Sequence, residues 1–219
     1  MQILTNTGGL AMTNCFLLAD PASGQAVLFD APDGTVLPLI EQAKARNWTI
    51  QGLWLTHGHF DHIADHEVVT AHFPGAKVLI HRLDEPKLQN PGLQSRWFQL
   101  PFSIPPRNAD GYAQDQQQLF IGSIPVQVIH TPGHSPGHVS FHLPTEGVLV
   151  GGDLIIGGSI GRTDLPDSDH AELEKSVRRV MRLDPRTRLL PGHGPISTLD
   201  WERRNNPFVA DILQSSRMG

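Results

Sequence analysis

The segment Thr56-His57-Gly58-His59-Phe60-Asp61-His62 carries four side chains that can bind a metal, and it directly follows the apolar run at residues 50–55. Three further apolar runs end in a glycine-containing turn that presents one more such side chain. Open α/β sheets place their ligands at the carboxyl ends of strands. We therefore predict one metal centre at the strand ends. Its ligands are His57, His59, Asp61, His62, His134, Asp153 and His193.

Seven ligands exceed what one ion needs. A single catalytic zinc commonly uses three protein ligands and leaves a position for water. Seven groups and a shared water fit two divalent ions ~3.5–4 Å apart, with one carboxylate between them. Imidazole and carboxylate suit zinc, iron or manganese, and we expect zinc. A structural zinc site is disfavoured, because such sites are closed by four ligands and usually include Cys, and the one Cys here, Cys15, is distant in sequence.

The remaining seven histidines are interpreted as ordinary core or surface residues, although His138 lies close to His134 in sequence. We expect His57 to lie on a surface turn. The aromatic residues Trp97, Phe98 and Phe102 belong to a proline-rich stretch. We expect them to pack in the fold, with a contribution to a substrate wall as the alternative.

The composition limits the class of protein. The chain has 219 residues, of which 39% are hydrophobic, and a net charge of −5. This charge disfavours nucleic acid or an anionic membrane as a partner. No run approaches the ~18 apolar residues of a membrane-spanning helix. The first Lys or Arg is Lys44, so the amino-terminal residues resemble neither a signal peptide nor a transit peptide. We expect a cytoplasmic protein.

Strand-like and helix-like runs alternate along the chain, which predicts an α/β protein with a single domain over residues 1–219. Predicted strands are 2–7, 14–19, 25–29, 50–55, 76–80, 125–129, 139–143, 148–150 and 188–190. Predicted helices are 33–47, 63–73, 170–183 and 207–214. Residues 82–118 contain five prolines and no lasting periodicity. Such a stretch usually covers a site or contains short helices.

The ligand pattern His-x-His-x-Asp-His, followed by His, Asp and His at later strand ends, resembles that of the metallo-β-lactamase superfamily. The resemblance implies a four-layer αββα sandwich, α/β (α+β) in class, with a two-metal site along one sheet edge. It also implies a division of the ligands. One ion would be held by His57, His59 and His134, and the other by Asp61, His62 and His193, with Asp153 bridging.

Within that superfamily the chain resembles the short, single-domain bacterial type II glyoxalases, which are hydroxyacylglutathione hydrolases. Two motifs that carry this resemblance are Pro132-Gly133-His134-Ser135-Pro136-Gly137-His138 and Pro191-Gly192-His193-Gly194-Pro195. The resemblance implies hydrolysis of a small-molecule thioester, S-D-lactoylglutathione, to D-lactate and glutathione, as in methylglyoxal detoxification. The nucleophile would be a hydroxide that bridges the two ions, and Asp61 would be the catalytic residue that orients it.

The chain also departs from the longer glyoxalases. We expect no C-terminal glutathione-binding helical domain, and the chain has Arg162, Thr163 and Asp164 where they commonly place Lys and two aromatic residues. We predict that Arg162 binds a substrate carboxylate. The alternative is that Arg162 forms a structural ion pair with Asp164.

Two alternative functions stay open. Persulfide dioxygenases of the same superfamily share the Gly161-Arg162-Thr163-Asp164 segment and use a single iron, so metal stoichiometry distinguishes them. A non-catalytic metal-binding module is the other alternative. True β-lactamases are disfavoured, because their common type has a metal-binding Cys where Asp153 stands. The oligomeric state stays open.

Overall fold

The computed structural model describes residues 1–215, except for the side chains of residues 95–97. Its first sheet has six strands: β1 Gln2–Gly8, β2 Thr13–Asp20, β3 Gln25–Phe29, β4 Thr49–Trp54, β5 Lys77–Ile80 and β6 Gly111–Tyr112. The strands lie in the sheet in chain order. Strands β1 to β3 are antiparallel, whereas β3 to β6 are parallel. The carboxyl ends of β3, β4 and β5 therefore meet at one edge.

The second sheet also has six strands: β7 Gln118–Ile121, β8 Ile124–His130, β9 Val139–Leu143, β10 Val148–Gly152, β13 Arg188–Pro191 and β14 Ser197–Thr198. Their spatial order is β14-β13-β10-β9-β8-β7, and only β10 and β13 are parallel. A separate small hairpin is formed by β11 Ile155–Ile156 and β12 Ser159–Ile160. The strands β8, β10 and β13 all run toward the same edge.

Helices cover the outer faces of the two sheets. Their bounds are α1 Val36–Ala45, α2 Phe60–Ile63, α3 His66–His72, α4 Glu85–Gln89, α5 Gly92–Phe98, α6 His170–Val180, α7 Leu199–Asn205 and α8 Pro207–Ser215. One apolar layer joins α1 and α3 to the first sheet, a second lies between the sheets, and a third joins α6 and α8 to the second sheet. Three apolar layers separate four layers of structure, which confirms the αββα sandwich.

Strand β2 shows why this sequence forms such a sandwich. All eight of its residues are buried, because one face contacts the helix layer and the other contacts the second sheet. Between the sheets, Phe29 and Trp54 of the first sheet contact Phe141 of the second, with ring centroids 5.2 and 5.7 Å from the Phe141 ring. Apolar burial of this kind is the main favourable term in folding.

The predicted helix 63–73 is wrong at its beginning. Helix α2 starts within the ligand motif at Phe60, and α3 is a separate helix from His66 to His72. Residues 82–118 contain the short helices α4 and α5, as one of the two predicted possibilities. Strands β7 and β14 and helix α7 were not predicted. None of the helices within residues 1–215 combines the length and apolar character that crossing a bilayer requires.

Candidate metal centre

The structure brings all seven predicted ligands together at one edge of the sandwich. Four follow β4, and one each follows β8, β10 and β13. Their ligand atoms form three groups, and within each group the atoms lie within 4.8 Å of one another. The groups are His57, His59 and His134; His57, His62 and Asp153; and Asp61, His62 and His193. The first and third groups coincide with the two ligand sets that the family resemblance implies.

Asp153 lies between those two sets. Its Oδ1 is 3.4 Å from His62 Nε2. Its Oδ2 is 3.5 Å from His134 Nε2 and 3.2 Å from His193 Nε2. The carboxylate thus faces one ligand set with His134 and the other with His62 and His193. This is the position that a bridging ligand between two ions requires.

Four buried polar atoms in the centre have no hydrogen-bond partner: His57 Nε2, His59 Nε2, His62 Nε2 and Asp153 Oδ1. Burying a polar atom without a partner costs free energy, and native structures rarely tolerate it. Three of these atoms, on His57, His62 and Asp153, belong to one cluster and have the donor chemistry of metal ligands, whereas His59 faces the cluster with its Nδ1, 2.8 Å from His134 Nε2. The residues therefore fit divalent ions.

The Nδ1 atoms of His57, His62 and His134 are held by oxygen atoms of the protein. His62 Nδ1 lies 2.8 Å from Asp30 Oδ2, which also accepts from the Thr56 hydroxyl at 2.9 Å. His57 Nδ1 lies 3.0 Å from that same hydroxyl, and His134 Nδ1 lies 2.9 Å from the Arg162 carbonyl oxygen. Metal-binding histidines typically donate their second ring N–H to such oxygens, which fixes the ring orientation.

Burial keeps two of the imidazoles neutral. Burial lowers the pKa of His57, and the imidazoles of His62 and His59 lower it further. Burial and the imidazole of His134 lower the pKa of His59 to about 3. A neutral imidazole offers a lone pair to a metal ion. His57 and His59 therefore need to lose no proton to bind one.

The two carboxylates have the opposite effect on two other imidazoles. Although burial disfavours the charged form, Asp153 and Asp61 raise the pKa of His193 to about 10. Despite the same penalty, Asp61, Asp30 and Asp153 raise the pKa of His62. Burial favours the neutral acid, but the cationic His62 and the contact with His193 lower the pKa of Asp61 to about 2. Without metal, the carboxylates are therefore balanced by protons on His62 and His193.

His57 does not lie on the surface, as the sequence predicted; it is fully buried, because the loop after β4 lies beneath the turns that follow β8 and β10. His138 belongs to none of the ligand groups. Its Nε2 accepts a hydrogen bond of 2.9 Å from the backbone N–H of Asp153, and its Nδ1 lies 2.8 Å from the Thr131 hydroxyl. The structural interpretation of His138 is thus confirmed, and the residue positions the segment that carries Asp153.

A cavity of about 490 Å³ opens onto the centre. Its apolar lining is formed by Ala11, Phe60, Phe98, Ile156, Ile160 and Leu165. Phe98 packs on Phe60 with ring centroids 4.8 Å apart, so its predicted packing role is confirmed and it also lines the cavity. The side chain of Trp97 lies outside the described residues.

Arg162 lines the same cavity and forms a bidentate ion pair with Asp164. Its Nε and Nη2 donate to the two carboxylate oxygens at 2.6 and 2.7 Å. Both side chains are more than half exposed, so solvent screens the pair. The structure shows the ion pair that was one predicted alternative. Binding of a substrate carboxylate by Arg162 stays a prediction.

Among the residues that contact the ligands, sequence reasoning missed Asp30 and Thr13. Asp30 directly follows β3, in the same strand-end position as the predicted ligands, and this position is a signal that would have found it. Thr13 donates its hydroxyl hydrogen to Asp61 Oδ2 at 2.7 Å. Nothing in the sequence points to Thr13, because the contact depends on β2 running antiparallel to β3, which brings the start of β2 to the edge where β4 ends.

The comparisons agree with this geometry. The family model described as the metallo-beta-lactamase superfamily matches residues 8–193. An uncharacterised protein of Mycobacterium leprae is 35% identical, with coverage of 97% of this chain and 100% of the relative. The hydroxyacylglutathione hydrolase GloC of Haemophilus influenzae is 30% identical, with coverage of 90% of this chain and 92% of the relative.

Solved structures give the same fold. The crystal structure of BLEG-1 B3 metallo-beta-lactamase has a TM-score of 0.86 and 36% identity, over 95% of this chain and 99% of that one. The crystal structure of TTHA1623 in a di-iron-bound form has a TM-score of 0.82 and 34% identity, over 94% of this chain and 99% of that one. The chain is therefore similar along nearly its whole length to a protein that binds two metal ions.

Proposed function

This chain belongs to the metallo-β-lactamase superfamily, and we propose that it is a metal-dependent hydrolase that cleaves acyl thioesters with two divalent ions at its centre. The observation that carries the proposal is the position of Asp153 between two sets of ligands, beside the buried Nε2 atoms of His57 and His62, which have no hydrogen-bond partner. The substrate that we propose is S-D-lactoylglutathione. Support for it comes from the similarity to the Haemophilus influenzae hydroxyacylglutathione hydrolase.

His57, His59 and His134 would hold one ion, and Asp61, His62 and His193 the other, with Asp153 shared. Two divalent ions bound there supply Lewis acidity and lower the pKa of a bound water toward neutrality. We propose zinc at both positions. The donor set suits zinc, and iron is the alternative that the di-iron relative favours.

The protein's own groups would position the reactants. Asp61 lines the cavity, and its Oδ2 accepts from Thr13, which leaves Oδ1 to accept a hydrogen bond from the attacking water. The apolar wall formed by Phe60, Phe98 and Leu165 would exclude bulk water from the thioester. A thiolate is a good leaving group, so the reaction needs no dedicated general acid. Arg162 lines the cavity, and its guanidinium would pair with a substrate carboxylate.

We also propose that the protein acts as a single domain in the cytoplasm on small molecules. The net charge of −5 supports this setting, because it disfavours nucleic acid and anionic membranes as partners. The single, buried Cys15 is compatible with a reducing compartment.

The experiment is anaerobic purification, metal analysis and turnover of a substrate panel. The panel contains S-D-lactoylglutathione, other acyl thioesters, glutathione persulfide with oxygen, and a β-lactam. We expect two ions per chain and hydrolysis of the thioesters. One iron with persulfide oxidation would identify a dioxygenase, and β-lactam cleavage alone would identify a lactamase. Two bound ions without any turnover would indicate a non-catalytic module.

A further inference from the structure

Asp84 is a fully buried carboxylate that is not one of the predicted ligands, yet it contacts both loops that carry three of them. Its Oδ2 accepts from the backbone N–H of Gly58 at 2.8 Å and from the Ser135 hydroxyl at 2.7 Å. Its Oδ1 accepts from the backbone N–H of Gly137 at 2.8 Å. Gly58 lies between His57 and His59, and Ser135 directly follows His134.

The two loops lie so close to Asp84 that only glycine fits at both contacts. A Cβ atom at Gly137 would lie 2.6 Å from the Asp84 backbone nitrogen and 2.7 Å from its Cβ. A Cβ atom at Gly58 would lie 2.9 Å from the Asp84 carbonyl oxygen. Contacts this short force the backbone to move. The distance between the two loops is therefore determined by their shared contact with Asp84.

The ammonium group of Lys87 compensates the buried negative charge of Asp84 and holds the carboxylate in place. Its Nζ lies 3.1 Å from Asp84 Oδ1 and 2.6 Å from Asp167 Oδ2, and the residue is only 8% exposed. Asp167 belongs to the segment that also carries Arg162 and Leu165, both of which line the cavity. An uncompensated buried carboxylate would strongly destabilise the fold. The ion pair with Lys87 therefore allows Asp84 to be buried in its charged form.

We propose that Asp84 is a positioning residue that sets the spacing between the His57–His59 loop and the His134 loop, and thereby the affinity of the ion that those three histidines would hold. Among the described residues, no hydrogen bond or ion pair joins the Asp84 side chain to the second set of ligands, Asp61, His62 and His193. Its ion should therefore depend less on this carboxylate. The inference rests on the proposed metal centre, but not on the identity of the substrate.

The test is a Co²⁺ titration of the metal-stripped full-length protein, followed by visible absorption. Asp84→Asn keeps the side-chain shape but gives up the acceptor capacity of one oxygen, so at least one loop loses a hydrogen bond. We expect the Kd of one ion to rise about 10–100-fold, as for other residues that position ligands, while the second ion binds as in the wild type. Unchanged Kd values for all ions would overturn the proposal.

The matched control is Asp20→Asn. Asp20 is also buried and accepts from the backbone N–H and the hydroxyl of Ser123, each at 2.9 Å, but it lies at the opposite end of β2 from Thr13. We expect a lower thermal stability without a change in Co²⁺ affinity. If both variants lost Co²⁺ affinity equally, Asp84 would have only a general structural role, and the proposal would be wrong.

Ser135→Ala provides a second variant in case Asp84→Asn does not fold. It removes only the hydroxyl that donates to Asp84 Oδ2. We expect the Kd of the same ion to rise, by less than in Asp84→Asn, and a wild-type Kd in Ser135→Ala would contradict the proposal. The number of ions bound by the wild type tests the proposed function. The comparison of variants with the wild type tests Asp84, whichever number is found.

Discussion

At the residue scale, Asp153 lies between the two proposed metal positions. It approaches His62 with one oxygen and His134 and His193 with the other. Asp153→Asn removes the charge and one acceptor oxygen, so we expect both ions to bind more weakly, by more than the about 10–100-fold that loss of an outer partner costs. His193→Ala is the comparison, since it should weaken only one ion. Elemental analysis after equilibrium dialysis measures both, and two ions retained at wild-type affinity in Asp153→Asn would contradict the bridging role.

Protonation of His193 and His62 predicts that metal binding is pH-dependent. Neighbouring carboxylates raise the pKa of His193 to about 10 and also raise that of His62. Without metal, both side chains are therefore in the cationic imidazolium form at neutral pH. Each must lose its proton to bind an ion. Affinity should therefore rise with pH throughout the range below about 10, where protons compete for His193.

Calorimetric titration of the metal-stripped protein with Zn²⁺ in buffers of different ionisation enthalpy measures the protons released. His193→Ala should release one proton fewer than the wild type. Equal proton release in both proteins would show that His193 is neutral before the metal binds.

The presence of Arg162 in the cavity lining predicts that KM depends on the charge of the substrate. If it binds a carboxylate, Arg162→Ala should raise KM about tenfold for a carboxylated thioester and leave a neutral thioester almost unchanged, since the exposed guanidinium contributes a screened, charge-assisted bond. Asp164→Asn is the matched control: it frees Arg162 from its ion pair and should not raise KM. Steady-state kinetics on both substrates distinguishes the two roles of Arg162. An equal loss of activity on the carboxylated and the neutral thioester would leave Arg162 a purely structural role.

The convergence of the seven predicted ligands follows from a local rule: each ligand comes after an apolar run, and strand ends meet at one edge. The rule predicts which residues meet, but not what surrounds them. Thr13 and Asp84 reach the centre through contacts between distant parts of the chain, so no local pattern marks them. The burial of His57 was missed for the same reason.

At the element scale, α6 supports the turn that carries His134. The helix begins after Asp169, whose side chain accepts from the Glu172 backbone N–H at 3.1 Å and whose own N–H donates to the Gly133 carbonyl at 2.7 Å. Asp169→Ala removes the cap, which typically costs about 1 kcal/mol and lowers Tm by about 2–4 °C in a chain of this size. Asp169→Ser keeps an acceptor and should restore most of the stability. Thermal denaturation followed by circular dichroism measures both, and a Tm equal to that of the wild type in Asp169→Ala would mean that the cap contributes nothing.

Elements with a strong pattern of their own were predictable. Strand β2 buries a largely apolar run, helix α6 buries Leu173, Val177 and Val180 at helical spacing, and Asp169 is recognisable as a cap. Strands β11, β12 and β14 have two residues each, too few for any periodicity. Helix α2 begins within the ligand motif, where the backbone follows the demands of the site rather than helix propensity.

At the scale of the whole molecule, the centre joins the two sheets. Four ligands follow a strand of the first sheet and three follow strands of the second. Ions that bind only the folded protein stabilise it by about 2.7 kcal/mol at a free concentration of 100 times Kd. Removal with a chelator should therefore lower Tm by several degrees, while the far-ultraviolet circular dichroism at 25 °C stays unchanged because the three apolar layers remain. Calorimetry with and without chelator measures the shift, and general unfolding on chelation would mean that the ions are structural.

The contact between Thr13 and His193 also determines when, during synthesis of the chain, the centre can form. These two residues form an isolated β-bridge, and the Asn14 side chain donates to the Pro191 and Gly194 carbonyl oxygens, each at 2.9 Å. A ribosome releases Thr13 and Asn14 early in synthesis and His193 near its end. Until then, a nascent chain holds the other six ligands without their last partner. Assembly of the centre is thus among the last events in the synthesis and folding of this protein. A translation product that ends before His193 cannot complete the centre.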